Sequence, residues 1–276
     1  MIELSDGSTL VEVNETGPVA KSRLYRYVRK FLPSGYRYAL RQMGCEGVEV
    51  KLKGLLDGSS WLTDKDKLQA WHGGNTLLDY WDGVEEVNPI EIADDGQAAF
   101  WTLVKMSGGS NLIDVSVADD STKQQRGLNC LKITAVSGST CARWYLRHNY
   151  GSAQDWSAKA FFVLYWYGAN SGSVIRIVIN GSSGAWTDKY LYTFTDNWTG
   201  WKRLVIAKSS FTVEAGSPSW ATVYAVQIEQ GTENKTATWY MDRMAFDAAV
   251  KITEHGWELV PGWAEMLRVN LILNEV

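Results

Sequence analysis

Several aromatic side chains occur in Gly- and Ser-rich turns, where a flat ring beside a carboxylate could hold a sugar. Trp186 follows Gly184 closely and precedes Asp188 by two residues. An aromatic plane packs against the C–H face of a pyranose, while carboxylates and amides bond its hydroxyl groups. The pattern predicts a glycan site whose candidate residues are Trp186, Asp188, Trp220 and Tyr150. An alternative, equally open from the sequence, is that these rings cover the ends of the fold or a contact between subunits.

The spacing of the reactive residues does not favour catalysis. Adjacent carboxylates occur as Glu85-Glu86, Asp94-Asp95 and Asp119-Asp120. Neighbours on a strand point to opposite faces and cannot share one substrate. The three histidines lack zinc-ligand spacing, and the stretch Gly181–Gly184 lacks the spacing of a nucleophile elbow. We therefore predict that the protein is not an enzyme and that it requires no cofactor.

Composition restricts the partners and the compartment. A net charge of −4 provides no basic surface for nucleic acid, and no apolar run reaches the ~18 residues of a membrane span. The stretch Met1–Gly7 has no signal-peptide features, so we expect synthesis in the cytoplasm.

Fourteen tryptophans exceed what a core of this size requires and favour a binding role. Cys45, Cys130 and Cys141 are expected to be buried thiols, with a Cys130–Cys141 bridge left open.

The middle of the chain alternates apolar runs with Gly/Ser turns. In Val174–Asn180 the three isoleucines share one face and Arg176 points the other way, as in a half-buried strand. Trp166 shares a face with Phe162 and Leu164, so we predict that it belongs to the core. Short strands at this spacing predict an antiparallel β-sandwich. The expected strands are Phe161–Tyr167, Val174–Asn180, Tyr190–Phe194, Trp201–Ile206, Asn129–Val136, Arg143–Leu146, Thr222–Glu229 and Thr238–Phe246.

The residue patterns at both ends of the chain differ from the pattern in the middle. An amphipathic strand, Glu46–Leu55, precedes a helix over Thr63–Trp71 for which Thr63 is the expected N-cap. Near the C-terminus, Leu267–Leu273 has one apolar face that a lone strand cannot bury. We predict that this strand joins the sheet formed before residue 93. The fold class is therefore all-β, with a sandwich at 95–247 inserted into a discontinuous, mostly-β domain of 1–94 plus 248–276.

An arginine-rich hairpin is predicted near the N-terminus. Its strands are Arg23–Leu32 and Tyr36–Met43, and Pro33-Ser34-Gly35 forms the turn. Arginine and tyrosine together favour buried protein interfaces, which suggests contact with an acidic neighbouring subunit. The alternative, a solvated basic sheet face, is equally open. The expected interface residues are Arg23, Arg26, Arg29, Arg37 and Arg41.

The inserted segment resembles the galactose-binding-like jelly rolls of carbohydrate-binding modules. The residues that carry the resemblance are Arg126–Ile133, Asp155-Trp156-Ser157, Trp198–Ile206, Phe211 and Trp239–Met244. The resemblance implies a jelly-roll fold and a glycan ligand. It also implies a structural Ca²⁺ ion that joins the first and last strands. Asp242 matches the late acidic position, and its early partner is open among Asp114, Asp119 and Asp120, of which we take Asp119 as the candidate.

The flanking domain resembles the tube-forming β folds of tailed-phage distal-tail and baseplate proteins. The resemblance rests on the arginine-rich hairpin, the strand Val48–Leu55, the single helix and the terminal strand Leu267–Val276. It implies a virion tail protein, assembled in the host cytoplasm, whose partners are copies of itself in a ring, other tail proteins and a cell-surface glycan. The alternative function is an accessory carbohydrate-binding module of a polysaccharide-degrading system.

Overall fold

The computed structural model describes most of the chain. Backbone positions are described for residues 2–5, 10–15, 20–31, 38–57, 61–74, 79–81, 90–93, 98–108, 112–125, 128–247, 250–259 and 266–275. Side chains are described for residues 4–5, 63–72, 98–108, 112–125, 128–247 and 271.

Nineteen strands and one α-helix follow one another within these described residues. In chain order they are β1 (Ile2–Ser5), β2 (Leu10–Glu15), β3 (Ala20–Phe31), β4 (Tyr38–Asp57), α1 (Trp61–Gly73), β5 (Asp79–Trp81), β6 (Ile90–Ala93), β7 (Thr102–Met106), β8 (Ile113–Asp120), β9 (Cys130–Ser137), β10 (Arg143–Gln154), β11 (Phe161–Ala169), β12 (Val174–Asn180), β13 (Lys189–Thr195), β14 (Thr199–Ala207), β15 (Thr212–Ala215), β16 (Val223–Gln230), β17 (Ala237–Asp247), β18 (Val250–Leu259) and β19 (Met266–Glu275). No helix in the described part of the chain is long and apolar enough to cross a membrane.

The chain divides into two compact units. One consists of Met1–Asn88 together with Asp247–Val276, and the other is the uninterrupted stretch Pro89–Phe246. The second unit thus interrupts the first in sequence. That the interrupting unit folds on its own stays a prediction.

The discontinuous unit contains a seven-stranded sheet in the order β18-β19-β4-β2-β1-β5, with β3 also paired to β4. The C-terminal strand β19 pairs antiparallel with β4, so the prediction that the last strand joins the N-terminal sheet is confirmed. The prediction of two separate strands in the region of β4 was wrong. The second hairpin strand and the strand Glu46–Leu55 form one continuous 20-residue strand. Irregular register with β3 near Tyr25 absorbs the interruption that Gly44-Cys45 suggested.

The helix also differs from the sequence prediction. Helix α1 begins at Trp61, so Thr63 lies inside its first turn and is not the N-cap. The predicted apolar pair Leu68 and Trp71 is buried, as expected for positions i and i+3. Strand β18 is continuous and includes both short apolar runs that the sequence shows there, Val250–Ile252 and Trp257–Leu259.

The unit Pro89–Phe246 is a sandwich of two six-stranded sheets, which confirms the predicted all-β fold class. We call the sheet β15-β13-β12-β16-β10-β7 the front sheet, and its neighbouring strands all run antiparallel. The back sheet has the order β14-β11-β17-β9-β8, with β6 also paired to β17. Strands β7, β8 and β15 were not predicted, although Ile113, Val115 and Val117 of β8 alternate with polar or small residues.

The core lies between the two sheets. Ile175, Ile177 and Ile179 of the front sheet are fully buried there, as their alternation predicts. From the back sheet, Phe162, Leu164 and Trp166 enter the same cluster, so the predicted core role of Trp166 is confirmed. Tryptophan supplies much of this core: the buried members are Trp101, Trp144, Trp156, Trp166 and Trp239. The tryptophan excess therefore reflects packing first, and composition alone was a poor guide to binding.

Candidate functional site

Trp220 packs against the edge of the core. Its ring stacks on Tyr190 with centroids 4.2 Å apart and an interplanar angle of 8°. Its other neighbours are Phe211 and Phe246, whose ring centroids lie 5.5 and 5.2 Å away. The ring that was expected to face a sugar therefore has aromatic neighbours on several sides and closes one end of the sandwich.

Tyr150 has a similar packing role. Its ring meets Trp156 and His148 edge to face, with centroids 5.9 and 4.7 Å away. The hydroxyl is buried without a hydrogen-bond partner among the described residues. Burial raises the pKa of Tyr150, since the phenolate cannot be solvated there. An oxygen in this position is not presented to a ligand.

Asp188 shapes the turn that follows β15. Its Oδ1 accepts a hydrogen bond from the backbone N–H of Ser217 at 2.8 Å, and its Oδ2 accepts one from the Thr187 hydroxyl at 3.1 Å. Gly216 has φ +62°, and a Cβ there would lie 2.2 Å from the same Oδ1. Only glycine lets the backbone approach this carboxylate so closely. Asp188 is thus committed to local structure.

Trp186 is the predicted site residue that packs on the outer face of the front sheet. Its half-buried ring lies over the guanidinium of Arg147, 3.9 Å from the ring centroid. Arg147 belongs to β10, so the contact attaches the loop that carries Trp186 to the outer face of the front sheet. The structure therefore separates Trp186 from Asp188, Trp220 and Tyr150, which do not share this surface.

The outer face of the front sheet follows from register. Because Ile175 and Ile177 point into the core, Arg176 between them points outward. Arg176 pairs with Glu229 of β16, and Glu229 pairs in turn with Tyr145 of β10. Residues directly opposite one another share a face, so charged and aromatic side chains from three strands line up across the sheet. Gln227 of β16 pairs with Arg147 of β10 two residues further along, so these two side chains lie beside Glu229 and Tyr145 on the same face.

These outward side chains form one connected network. Arg147 donates from Nε and Nη2 to Gln227 Oε1 at 3.0 and 2.9 Å, and Gln227 Nε2 donates to Glu229. Arg176 Nε lies 2.8 Å from Glu229 Oε1, and Arg176 also pairs with Glu214. Lys189 Nζ lies 3.3 Å from Glu214 Oε2. We call this surface the polar face; its members are Lys189, Glu214, Arg176, Glu229, Gln227, Arg147, Tyr145 and Trp186.

The polar face combines a ring plane with fixed donors and acceptors. Trp186 and Tyr145 supply aromatic surface, while Gln227 and Glu229 supply amide and carboxylate groups held by their neighbours. Both carboxylates that flank Arg176 are engaged in ion pairs with it, which holds their oxygens in fixed positions. The arrangement suits a ligand with many hydroxyl groups and apolar C–H faces.

Asp119 and Asp242, the pair chosen for calcium, lie on opposite faces of the back sheet. Asp119 pairs with Leu131, which points into the core, and its Oδ1 accepts the N–H of Ala98. Asp242 is buried near Cys130, on the opposite face of the back sheet, and its Oδ2 accepts the N–H of Gln125 at 2.6 Å. Within the described residues, no three His, Cys, Asp or Glu side chains cluster as a metal site. Asp120, another early candidate, lies opposite Cys130 on the same side as Asp242, so the calcium ion stays a prediction and enters no step below.

The two described cysteines are separate thiols. Cys130 and Cys141 are both buried and free, so the bridge left open by the sequence does not form. Burial raises the pKa of the Cys130 thiol to about 12, and the nearby charges of Asp242 and Asp120 act in the same direction. A thiol with so high a pKa stays protonated and is a poor nucleophile.

Asp196 is a structural centre that sequence reasoning missed. This fully buried carboxylate accepts hydrogen bonds from the N–H and hydroxyl of Ser171, from the N–H of Ala169 and from Trp239 Nε1. It joins the β11–β12 loop to the back sheet. A single aspartate before a turn residue carries no local signal of such a role, because its partners are up to 43 residues away.

The arginine-rich hairpin is described only at the backbone. Strands β3 and β4 pair antiparallel, with Arg23 opposite Val48, Arg29 opposite Leu40 and Val28 opposite Arg41. The side chains of Arg23, Arg26, Arg29, Arg37 and Arg41 lie outside the described residues. The interface predicted for them stays a prediction.

Known structures with a similar fold are carbohydrate-binding modules. A family 11 module from Clostridium thermocellum, in complex with a β-1,3-1,4-mixed-linked tetrasaccharide, is 17% identical over 58% of this chain and 95% of its own, with a TM-score of 0.46. A family 30 module from a cellulosomal cellulase of the same organism is 14% identical over 58% of this chain and 98% of its own, with a TM-score of 0.44.

A phage protein is also among the similar structures. The enzymatically active domain of tailspike protein 4 from bacteriophage CBA120 is 10% identical over 57% of this chain and 21% of its own, with a TM-score of 0.38. No protein-family model and no curated protein matches the sequence. At these identities and TM-scores, a likeness does not identify the ligand or the assembly of this chain.

Proposed function

We propose that the unit Pro89–Phe246 is a non-catalytic carbohydrate-binding module whose ligand lies on the polar face. The observation that carries the proposal is the half-buried ring of Trp186, fixed over Arg147 beside a network of ionised and amide groups. A sugar ring offers an apolar C–H face to the indole and hydroxyl groups to the network. Of the residues predicted from the sequence, this site keeps Trp186 and leaves out Asp188, Trp220 and Tyr150.

The proposal is tested with a glycan array and with Trp186→Ala in the full chain. Removing the indole is expected to weaken binding by about tenfold or more, since loss of 1.4 kcal/mol of contact energy is tenfold in affinity. Trp201→Ala is the matched control, because Trp201 is a half-buried tryptophan on the outer face of the back sheet. Binding of no glycan by the wild type, or equal binding by wild type and Trp186→Ala, would overturn the proposal.

A role in a tail-like particle is a separate prediction for the discontinuous unit, and it rests on the resemblance of the hairpin, helix and terminal strand. Reversing the charge of Arg26 and Arg29 is expected to abolish a ring oligomer, because the hairpin would then repel an acidic neighbouring surface. Size-exclusion chromatography with light scattering at low and high salt measures the mass. An unchanged mass in the double variant would show that the hairpin is a solvated sheet face. The alternative, an accessory module of a polysaccharide-degrading system, uses the same polar face and needs no ring.

A further inference from the structure

The charges of the polar face are balanced at one end only. Arg176 has carboxylates on two sides, Glu229 and Glu214, and Glu214 also pairs with Lys189. Arg147, at the other end, is held by the neutral amide of Gln227. Among the described side chains, no carboxylate lies within ion-pair distance of the Arg147 guanidinium. This end of the face therefore carries an uncompensated positive charge.

The donors that Arg147 has left form a fork. A guanidinium has five N–H groups, and Arg147 directs its Nε–H and one Nη2–H to Gln227 Oε1. Three N–H groups remain, and two of them lie on the Nη1–Nη2 edge, which can bind a carboxylate through two parallel hydrogen bonds. The amide of Gln227 thus fixes the group without consuming that edge.

Aromatic rings hold the fork in place. The guanidinium carbon lies 3.9 Å from the centroid of Trp186 and 4.8 Å from that of Tyr145. Stacking of this kind restrains the plane of an arginine and leaves less rotational freedom to be lost on binding. Lysine could not reproduce this arrangement, because its ammonium has neither the plane nor the fork.

We propose that the ligand of the polar face is an acidic glycan and that Arg147 binds its carboxylate while Trp186 packs against the sugar ring. The inference rests on the proposed glycan-binding function and narrows it to uronic or sialic acid sugars. Arg176, whose charge is already matched by two carboxylates, contributes hydrogen bonds to hydroxyl groups and does not select for charge.

The test compares acidic oligosaccharides with their own carboxyl-reduced forms, which keep the sugar and lose the charge. Trigalacturonate, a hyaluronan tetrasaccharide and 3′-sialyllactose serve as probes for calorimetry on the full chain. At least one acid form is expected to bind about tenfold or more tightly than its reduced form, as a charge-assisted bidentate pair allows, and high salt should reduce the difference.

Two variants assign the effect to the fork. Arg147→Gln is expected to abolish the preference for the acid form, and Arg147→Lys to restore little of it. Lys202→Gln, which removes an exposed positive charge from the back sheet, should leave the preference unchanged. Equal affinity for acid and reduced forms would overturn the acidic-glycan inference while glycan binding stands. A preference that survives in Arg147→Gln would overturn the role of Arg147. Failure of every acidic and reduced form to bind, while a neutral glycan binds on the array, would overturn this inference alone; the proposed function falls only if the array shows no glycan bound.

Discussion

Replacing Asp196 with alanine is expected to lower the free energy of unfolding of the sandwich by about 3–5 kcal/mol. The carboxylate is fully buried and accepts hydrogen bonds from donors on Ala169, Ser171 and Trp239. Alanine would leave these donors without an acceptor, and an unsatisfied buried donor costs about 1–3 kcal/mol. Urea unfolding followed by tryptophan fluorescence measures the change in the free energy of unfolding. If the two units unfold at different urea concentrations, each transition is analysed by itself.

Asp155→Ala is the control for this substitution. Asp155 also accepts a backbone N–H, that of Ser157 at 2.8 Å, but it does so at the exposed surface. Water can replace that acceptor, so the control should unfold close to the wild-type urea concentration. If Asp196→Ala and Asp155→Ala unfold at the same urea concentration, the buried carboxylate does not hold the β11–β12 loop in the way described.

Trp166→Ala should be nearly as damaging, with a loss of about 3–5 kcal/mol. The ring is fully buried between the sheets and contacts Phe194 and Trp239, with centroids 5.6 and 6.5 Å away. Truncation removes apolar contacts and leaves a cavity that the close-packed neighbours cannot fill. The unfolding transition measured in urea should move to clearly lower concentration.

Trp186→Ala provides the contrast between core and surface. This ring rests on Arg147 at the outer face and has no place in the core cluster. Its removal should change the urea midpoint little, although it weakens glycan binding. Equal destabilisation by the two tryptophan substitutions would contradict the assignment of Trp166 to the core and Trp186 to the surface.

Residue alternation was enough to predict strand β12 and the core position of Trp166. The bounds of β12 match because its three isoleucines recur at every second position between turn residues. Trp166 could be assigned because two other apolar residues share its face. In both cases the informative residues are neighbours in the sequence, where a periodic pattern is reliable.

The polar face could not be predicted in the same way. Arg147, Arg176 and Glu229 come from three strands that are far apart in the sequence. Their meeting depends on strand order and register, and a shift of one residue in β16 would send Glu229 to the core side. Without that register, aromatic residues in turns were the better candidates, and Trp220 and Tyr150 prove to be packing residues.

The early partner of Asp242 could not be chosen from the sequence for a related reason. Asp119 and Asp120 differ by one residue, and in a strand that difference selects opposite faces. Asp119 lies opposite Leu131 on the core side, whereas Asp242 lies near Cys130 on the other side. The resemblance supplied the type of residue at each end of the fold, but only the register shows which residues share a face.

The indole N–H spectrum of the full chain, labelled with ¹⁵N-tryptophan, shows whether a sugar binds on the polar face. The chain has 14 tryptophans, and the signal of Trp186 is identified by its loss in Trp186→Phe. On titration with the tightest-binding oligosaccharide from the array, we expect the Trp186 signal to shift while those of Trp220 and Trp201 stay in place. An unmoved Trp186 signal, with shifts at Trp220 or Trp201, would place the ligand away from the polar face.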